Sequence, residues 1–480
     1  MGNAQACLAG VYSNKVKCRF LFNSLYSSKR FGYLWPACGF SASGRHARRA
    51  GSLGRRDTHA WLALTRNIGD MSLTPPPEAP AVPSQQAAYA ASAGLPRRLR
   101  ALLCLDDFET AARRHLPRPL FGYIVGAAET NRSYDDNRRQ FDDYSFQPRV
   151  MVDVSHRSTD ITLFGKRYRA PFGIAPVGIS AISAYRGDIV LAQAAQAAGV
   201  PAIMSGTSLI RMEEVAAAAP GTWFQAYMPG DDTRLDGLIA RAGAAGFETL
   251  VVTVDIPVWA NRENNVRTGF SMPLRPGLRL AWDGITRPRW LFGTFARTLL
   301  RHGMPHFENS FATRGAPMLS TNAVRDTTGR EHLNWDHIRR IRAMWRGPMI
   351  IKGILHQHDA LLAHECGADG IIVSNHGGRQ LDGAVAPMRV LPRIVDAVGG
   401  RMTVMMDGGV RRGSDVLKAV ALGARCVFAG RPFMYAAAVG GRIGVDHALT
   451  LLRDEVSRNM AMLGVNGVDE LNPDRLLARP

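Results

Sequence analysis

Residues 403–431 read TVMMDGGVRRGSDVLKAVALGARCVFAGR. Two short apolar runs, within 403–409 and 426–431, flank an Ala/Leu/Val-rich helical stretch at 413–423 that ends in Gly423. Glycine commonly closes a helix. Neither apolar run alternates with polar residues, so each suits a strand covered on both faces, as in a parallel sheet with crossover helices. The unit is therefore strand, helix, strand, with DGG and GR just beyond the strand ends.

The same rhythm extends upstream. Further candidate strands are 172–177, 202–206, 223–228, 249–255, 349–354 and 370–375, with helical segments such as 188–199 between them. Eight strands with intervening helices predict an α/β fold, a single (β/α)8 barrel, also called a TIM barrel. An open doubly wound sheet is the alternative, but no G-x-G-x-x-G follows the first strand. Ser205, Gln225, Tyr227, Thr253, Asp255, Lys352, Ser374, His376 and Asp407 all fall within or just past the C-terminal half of a predicted strand. A barrel gathers those positions at one mouth, where barrel active sites lie.

One long insertion after strand four, about 270–330, breaks the rhythm. Residues 275–311 hold six Arg against two acids, together with Trp282, Trp290, Phe292, Phe295, Phe307 and Phe311. Arg with aromatic and Leu residues at helical spacing suits contact with a membrane surface. A lid over the barrel is an alternative compatible with it.

The chain has 480 residues, 59 Lys+Arg, 40 Asp+Glu and a net charge of +19. The charge is uneven. Residues 1–70 hold 11 Lys+Arg and two acids (+9), and the remaining 48 and 38 make +10. That stretch also has Cys7, Cys18 and Cys38 of the six cysteines. Residues 1–100 are expected to form a basic leader and a flexible Pro/Ala-rich linker, with the barrel spanning 101–480. The leader is open to three readings: an over-long start with Met71 as the alternative, an organellar transit peptide, or an accessory segment. At 105–116, LDDFETAARRHL predicts a helix capped by Asp106. No run of 18 apolar residues predicts a spanning helix. No cysteine spacing suggests a disulfide framework or a metal site, and no nucleic-acid motif accompanies the charge.

SNHGGRQLD at 374–382, with KG at 352–353 and DGGVRRG at 407–413, resembles the FMN-dependent α-hydroxy acid oxidase/dehydrogenase family. The resemblance runs from about Asp106 to Leu471. It implies FMN as cofactor and oxidation of an L-2-hydroxy acid to the 2-keto acid. It also implies roles for particular residues. His376 is the base, and Asp255 orients it. Arg379 and Arg262 bind the substrate carboxylate, with Tyr227 and Tyr123 beside them. Lys352 stabilises the negative charge of the reduced flavin, and Ser205, Gln225, Thr253 and Ser374 hydrogen-bond the cofactor. The Pro176-Val177-Gly178 backbone lies by the reactive ring edge, and Asp407, Gly408, Gly409, Arg411, Gly430 and Arg431 form the phosphate end. These assignments agree with elementary chemistry. Imidazole titrates in the useful range, guanidinium binds carboxylate bidentately, and an ammonium stabilises developing negative charge.

Three departures stand out. Ala127 replaces the second glycine after Tyr123. Thr207 replaces the pocket Trp of plant glycolate oxidases, leaving room for a lactate- or mandelate-like substrate. Gly178 stands where many oxidases have Ala. With the insertion, whose RHGMP at 301–305 is similar to that subgroup's, these features lean toward a dehydrogenase that passes electrons to a membrane quinone. A soluble oxidase using O2 and making hydrogen peroxide is the alternative. No haem-binding HPGG motif precedes the barrel. The resemblance further implies a homo-oligomer, a tetramer, in the cytoplasm and peripheral on the inner face of the membrane.

Overall fold

The computed structural model describes residues 94–271, 277–320 and 329–479. The expectations for the leader, the Met71 start and most of the linker lie outside these residues, as do positions 272–276 and 321–328 of the insertion.

The eight strands are β1 Phe172–Ile174, β2 Ile203–Ser205, β3 Trp223–Tyr227, β4 Leu250–Thr253, β5 Met349–Ile354, β6 Gly370–Val373, β7 Thr403–Asp407 and β8 Cys426–Ala429. All pairings are parallel, each strand beside its sequence neighbour, and β8 returns to β1 through Val427 with Phe172. A parallel bridge from Ile174 to Ala202 joins β1 to the start of β2 and closes the ring. Nearly every strand residue is buried, because helices cover the outside and side chains fill the inside. Trp223 and Phe428 meet across the interior at 5.7 Å between rings. A hairpin of Ile161–Leu163 and Lys166–Tyr168 brings Phe164 and Tyr168 onto Trp223, the first residue of β3, and so plugs the lower end.

Among the described residues, three helices of eight residues or more precede the barrel: α1 Leu105–His115, α2 Arg118–Val125 and α3 Arg132–Arg139. The crossover helices are α4 Gly187–Ala198, α5 Met212–Ala218, α6 Asp232–Ala244, α7 Trp335–Met344, α8 Gln357–Glu365, α9 Pro387–Val398, α10 Gly413–Ala421 and α11 Arg431–Leu463. The last is broken at Gly441, whose φ of 55° no helix permits. The packed body begins before residue 101, since Arg97–Arg100 form a helical turn and Leu99 is buried against Gly440.

The cap of α1 differs from the sequence expectation. Cys104 occupies the cap, and Asp107 closes the turn by accepting from the Leu103 and Cys104 amides. Asp106 sits one residue inside the helix, where its carboxylate approaches Arg411 and Arg138. Strands β1, β4, β6, β7 and β8 also end two residues or so before the predicted limits. Their polar ends peel away from the ladder to form the mouth, which places Asp255, Ser374 and His376 in loops.

The insertion begins with a helix, Leu278–Ile285, and continues through Pro288–Trp290 and a π-helical run, Leu291–Ala296, into Arg297–His302. Its aromatic residues divide. Trp290 is buried, donates to the Ile182 carbonyl at 2.8 Å and stacks on Phe295, and Phe307 is buried too. Trp282 and Phe292 are 67% and 70% exposed, alongside exposed Leu278, Ile285 and Leu300. No helix among the described residues is long and apolar enough to cross a membrane.

Candidate active site

The β6 loop presents His376 by an unusual backbone. His376, Gly377 and Gly378 all have positive φ, at 57°, 67° and 74°. For a histidine that conformation is strained and needs support from its surroundings. Ser374 supplies some, its hydroxyl accepting from the His376 amide at 3.0 Å. Asn375 supplies more. It exchanges two amide hydrogen bonds with Asn137 of α3, at 2.7 and 2.8 Å, and accepts from the Gly378 amide at 3.1 Å. Farther along, Asp382 accepts from the Thr130 and Ser133 amides at 2.9 and 3.1 Å. The whole SNHGGRQLD loop is thus tied to the segment before the barrel.

His376 Nδ1 lies 2.9 Å from Asp255 Oδ1. An ionised carboxylate only accepts, so Nδ1 of the neutral ring carries the hydrogen and Nε2 keeps its lone pair. Burial holds the His376 pKa below its ordinary value despite the Asp255 charge, and keeps the ring neutral near pH 7. Burial acts the opposite way on Asp255, but its interaction and hydrogen bond with His376 and the Lys352 charge outweigh it and hold this carboxyl below the usual range.

A cleft with about 980 Å3 of space, part of it open to solvent, occupies the C-terminal mouth of the barrel. Its wall takes Pro176, Val177 and Gly178 after β1, Tyr227 from β3, Thr253 from β4 and Lys352 from β5. The β6 loop adds His376, Gly377 and Arg379, with Arg262 beside them. Asp407, Gly408, Gly409 and Arg411 follow from β7, then Gly430 and Arg431 after β8, while Tyr123 closes the cleft from α2. Ser205, Gln225 and Ser374 are buried behind the wall, and Asp255 stands behind His376. Lys352 Nζ bridges Asp407 Oδ2 at 3.0 Å and the Ser374 hydroxyl at 2.7 Å. Burial disfavours its charge, but Asp407 and Asp255 more than compensate and raise its pKa.

The cleft carries more positive charge than it neutralises. Arg262, Lys352, Arg379, Arg411 and Arg431 line it against Asp407. Burial, followed by the repulsion of Arg379, pushes the Arg431 pKa down to about 10. A bound anion relieves that repulsion. All three guanidinium nitrogens of Arg431 donate to carbonyls, those of Ile124, Gly377 and Gly126. Three of its five N–H groups are thus spent on the backbone, and Arg431 keeps its charge and two N–H groups, one on each Nη. Arg379 uses only Nη1 on the carbonyls of Tyr123, Ile124 and Gly126. Arg262 Nε donates to the Arg379 carbonyl at 3.1 Å and steadies that loop.

The buried atoms left without partners fit a polar cofactor. Gln225 Nε2, Thr253 Oγ1 and Asp407 Oδ1 make no hydrogen bond among the described residues, a cost of about 1–3 kcal/mol each unless a ligand supplies the partner. At Gly409, with φ of 81°, a Cβ would fall 1.7 Å from the Asn137 carbonyl oxygen. Only glycine lets this turn pack there while its amide borders the cleft. Among the residues that sequence reasoning passed over, Asn375 stood inside the quoted motif as an unexplained polar residue. Asn137, in the strongly polar RSYDDNRR helix, carried no signal at all.

Comparison with known proteins agrees with this geometry. The family model described as FMN-dependent dehydrogenase matches residues 112–478. An L-lactate dehydrogenase of Caulobacter vibrioides (strain NA1000 / CB15N) is 42% identical over 381 residues, covering 78% of this chain and 97% of that protein. The (S)-mandelate dehydrogenase of Pseudomonas putida is 36% identical over 376 residues, covering 78% and 94%. A crystal structure of a monotopic membrane protein, (S)-mandelate dehydrogenase, superposes with a TM-score of 0.72 at 35% identity, covering 79% of this chain and all of that one. The closed eight-stranded barrel and these matches together make the chain a member of the FMN-dependent hydroxy acid dehydrogenase family.

Proposed function

We propose that this protein oxidises an L-2-hydroxy acid of lactate- to mandelate-like size to its 2-keto acid and delivers the electrons to a membrane quinone. The observation that carries the reading is the His376–Asp255 pair at 2.9 Å beside a cleft lined by cationic groups. Bound FMN supplies the two-electron acceptor. Lys352, Thr253 and the turns after β7 and β8 hold it, with Ser205, Gln225 and Ser374 supporting them from behind.

His376 accepts a proton at Nε2 as the substrate is oxidised, and Asp255 stabilises the imidazolium that results. Arg379 has Nε and Nη2 to offer the substrate carboxylate, a planar fork suited to it. Arg262 and the Tyr123 and Tyr227 rings complete its seat. Thr207 and Gly178, beside the Tyr123 hydroxyl, leave space for a larger side chain on the substrate. A Cβ added at Gly178 would come 2.1 Å from the Thr207 hydroxyl, so those two positions set the local width jointly.

The apolar residues displayed by the insertion, with its Arg residues, support docking on an acidic membrane from the cytoplasmic side. A homotetramer is part of the same reading. The test is anaerobic flavin bleaching of the purified protein with glycolate, L-lactate, (S)-mandelate and longer 2-hydroxy acids. Bleaching is expected with lactate or mandelate. A protein that binds no flavin, or whose flavin none of these reduces, would sink the assignment.

A further inference from the structure

A second cavity, with about 620 Å3 of space and an opening to solvent, lies between the insertion and the barrel. Its barrel wall comes from the loops after β1 and β2, at Ala181, Leu209 and Ile210. The same two loops line the active-site cleft at Gly178 and Thr207. Gly178 and Ala181 are three positions apart in the chain, and Thr207 and Leu209 two. Even fully extended, neither stretch spans more than about 11 Å.

The opposite wall is the helix Arg297–His302 and the turn after it. Thr298 and His302 line the cavity, four residues apart and so on one helical face. Leu300, about 200° round the helix from Thr298, is 86% exposed. One short helix thus presents an apolar side chain outward and a cavity wall inward. The charges at the cavity are already paired, Arg186 with Glu214 at 2.6 Å, Arg314 with Glu308 at 2.8 Å and Arg211 with Glu213 at 3.5 Å. Around those pairs the lining joins apolar Ala181, Leu209, Ile210, Met304 and Pro305 to Thr298 and His302, whose Nε2 lies 3.0 Å from the hydroxyl of Tyr185.

We propose that this cavity receives the head group of a lipid-soluble quinone arriving from the membrane, an inference that rests on the quinone-linked reading above. A quinone ring is neutral and flat, and its carbonyls need a donor such as the lining His302, which the Tyr185 hydroxyl orients. An anion would find the arginines occupied. The chemistry balances: the hydroxy acid loses two electrons and two protons to become the keto acid, and the quinone takes up two of each to become the quinol. The family's flavin relays the electrons.

The experiment uses the FMN-loaded enzyme with a short-chain ubiquinone, its azido derivative for photolabelling, and phenazine methosulfate as a small diffusible acceptor. Light is expected to attach the azidoquinone within 181–186, 209–211 or 298–305. Leu209→Trp, which fills the cavity, and His302→Phe should each slow reoxidation by the quinone about tenfold or more. Both should leave substrate-driven bleaching and reoxidation by the phenazine within about twofold of the unaltered enzyme. Unchanged quinone kinetics in both variants, or labels confined to other segments, overturn the cavity assignment. If the unaltered enzyme passes no electrons to the quinone but reacts rapidly with oxygen, the quinone-linked reading itself fails, and the cavity assignment with it.

Discussion

His376 shows how one position reconciles two opposing demands. Burial keeps its imidazole neutral so that it can accept a proton, while Asp255 offsets part of that effect and stabilises the protonated product. The base works only when unprotonated, so kcat/KM should climb with pH through the His376 pKa and level off above it. Because burial lowers that pKa, the acid limb is expected below the usual 6.5. Asp255→Asn removes the carboxylate that raises it, so the limb should move lower still while the rate drops by about 10²–10⁴-fold. A pH–rate profile checks both, and a limb above 6.5 would contradict the placement. Lys352 offers a second test. Its ammonium is the cation facing buried Asp407 at 3.0 Å. Lys352→Ala should cost about 3–5 kcal/mol, as losing one partner of a buried ion pair does. It should also release flavin, read as a lower Tm and a lower bound-FMN absorbance. Adding Asp407→Asn should recover part of the Tm but not the flavin.

Among the elements, the β6 loop and the insertion were legible to different depths. SNHGGRQLD identified itself by motif, yet nothing in it announced that Asn375 would pair with Asn137, 238 residues away. Reciprocal amide bonds require two backbones brought together, and spacing along the chain says nothing of that. The insertion's Arg and aromatic content suggested either a membrane surface or a lid, and its side chains divide between the two. Trp290, Phe295 and Phe307 dock on the barrel or against each other, while Leu278, Trp282, Ile285, Phe292 and Leu300 face out. Replacing those five outward residues with Ser or Gln should abolish sedimentation with anionic phospholipid vesicles. Flavin content and substrate-driven bleaching should be unaffected. Retained vesicle binding would remove the insertion from membrane contact.

The barrel, taken whole, closes within residues 94–479, from β1 through β8 and back to the start of β2. Its two ends are further tied by an antiparallel pairing of Tyr144–Phe146 with Leu476–Ala478. A chain begun at Met71 is therefore expected to match the 480-residue chain in flavin content, Tm and bleaching rate, measured side by side. A loss of any of these would give the first 70 residues a part in the fold or the chemistry. Composition and periodicity alone carried the alternation of buried strands and helices, because doubly covered strands must be apolar along their whole length and their active ends must be polar. The motifs carried the chemistry, because an imidazole, a carboxylate and a set of cations are needed together. Only the closed barrel decided which groups meet. It set Asp255 behind His376, turned three of the five Arg431 donors onto carbonyls, left Thr253 and Gln225 with unpartnered atoms and opened a second cavity under the insertion. Those outcomes depend on distances between segments far apart in the chain, which close packing sets and no local pattern records.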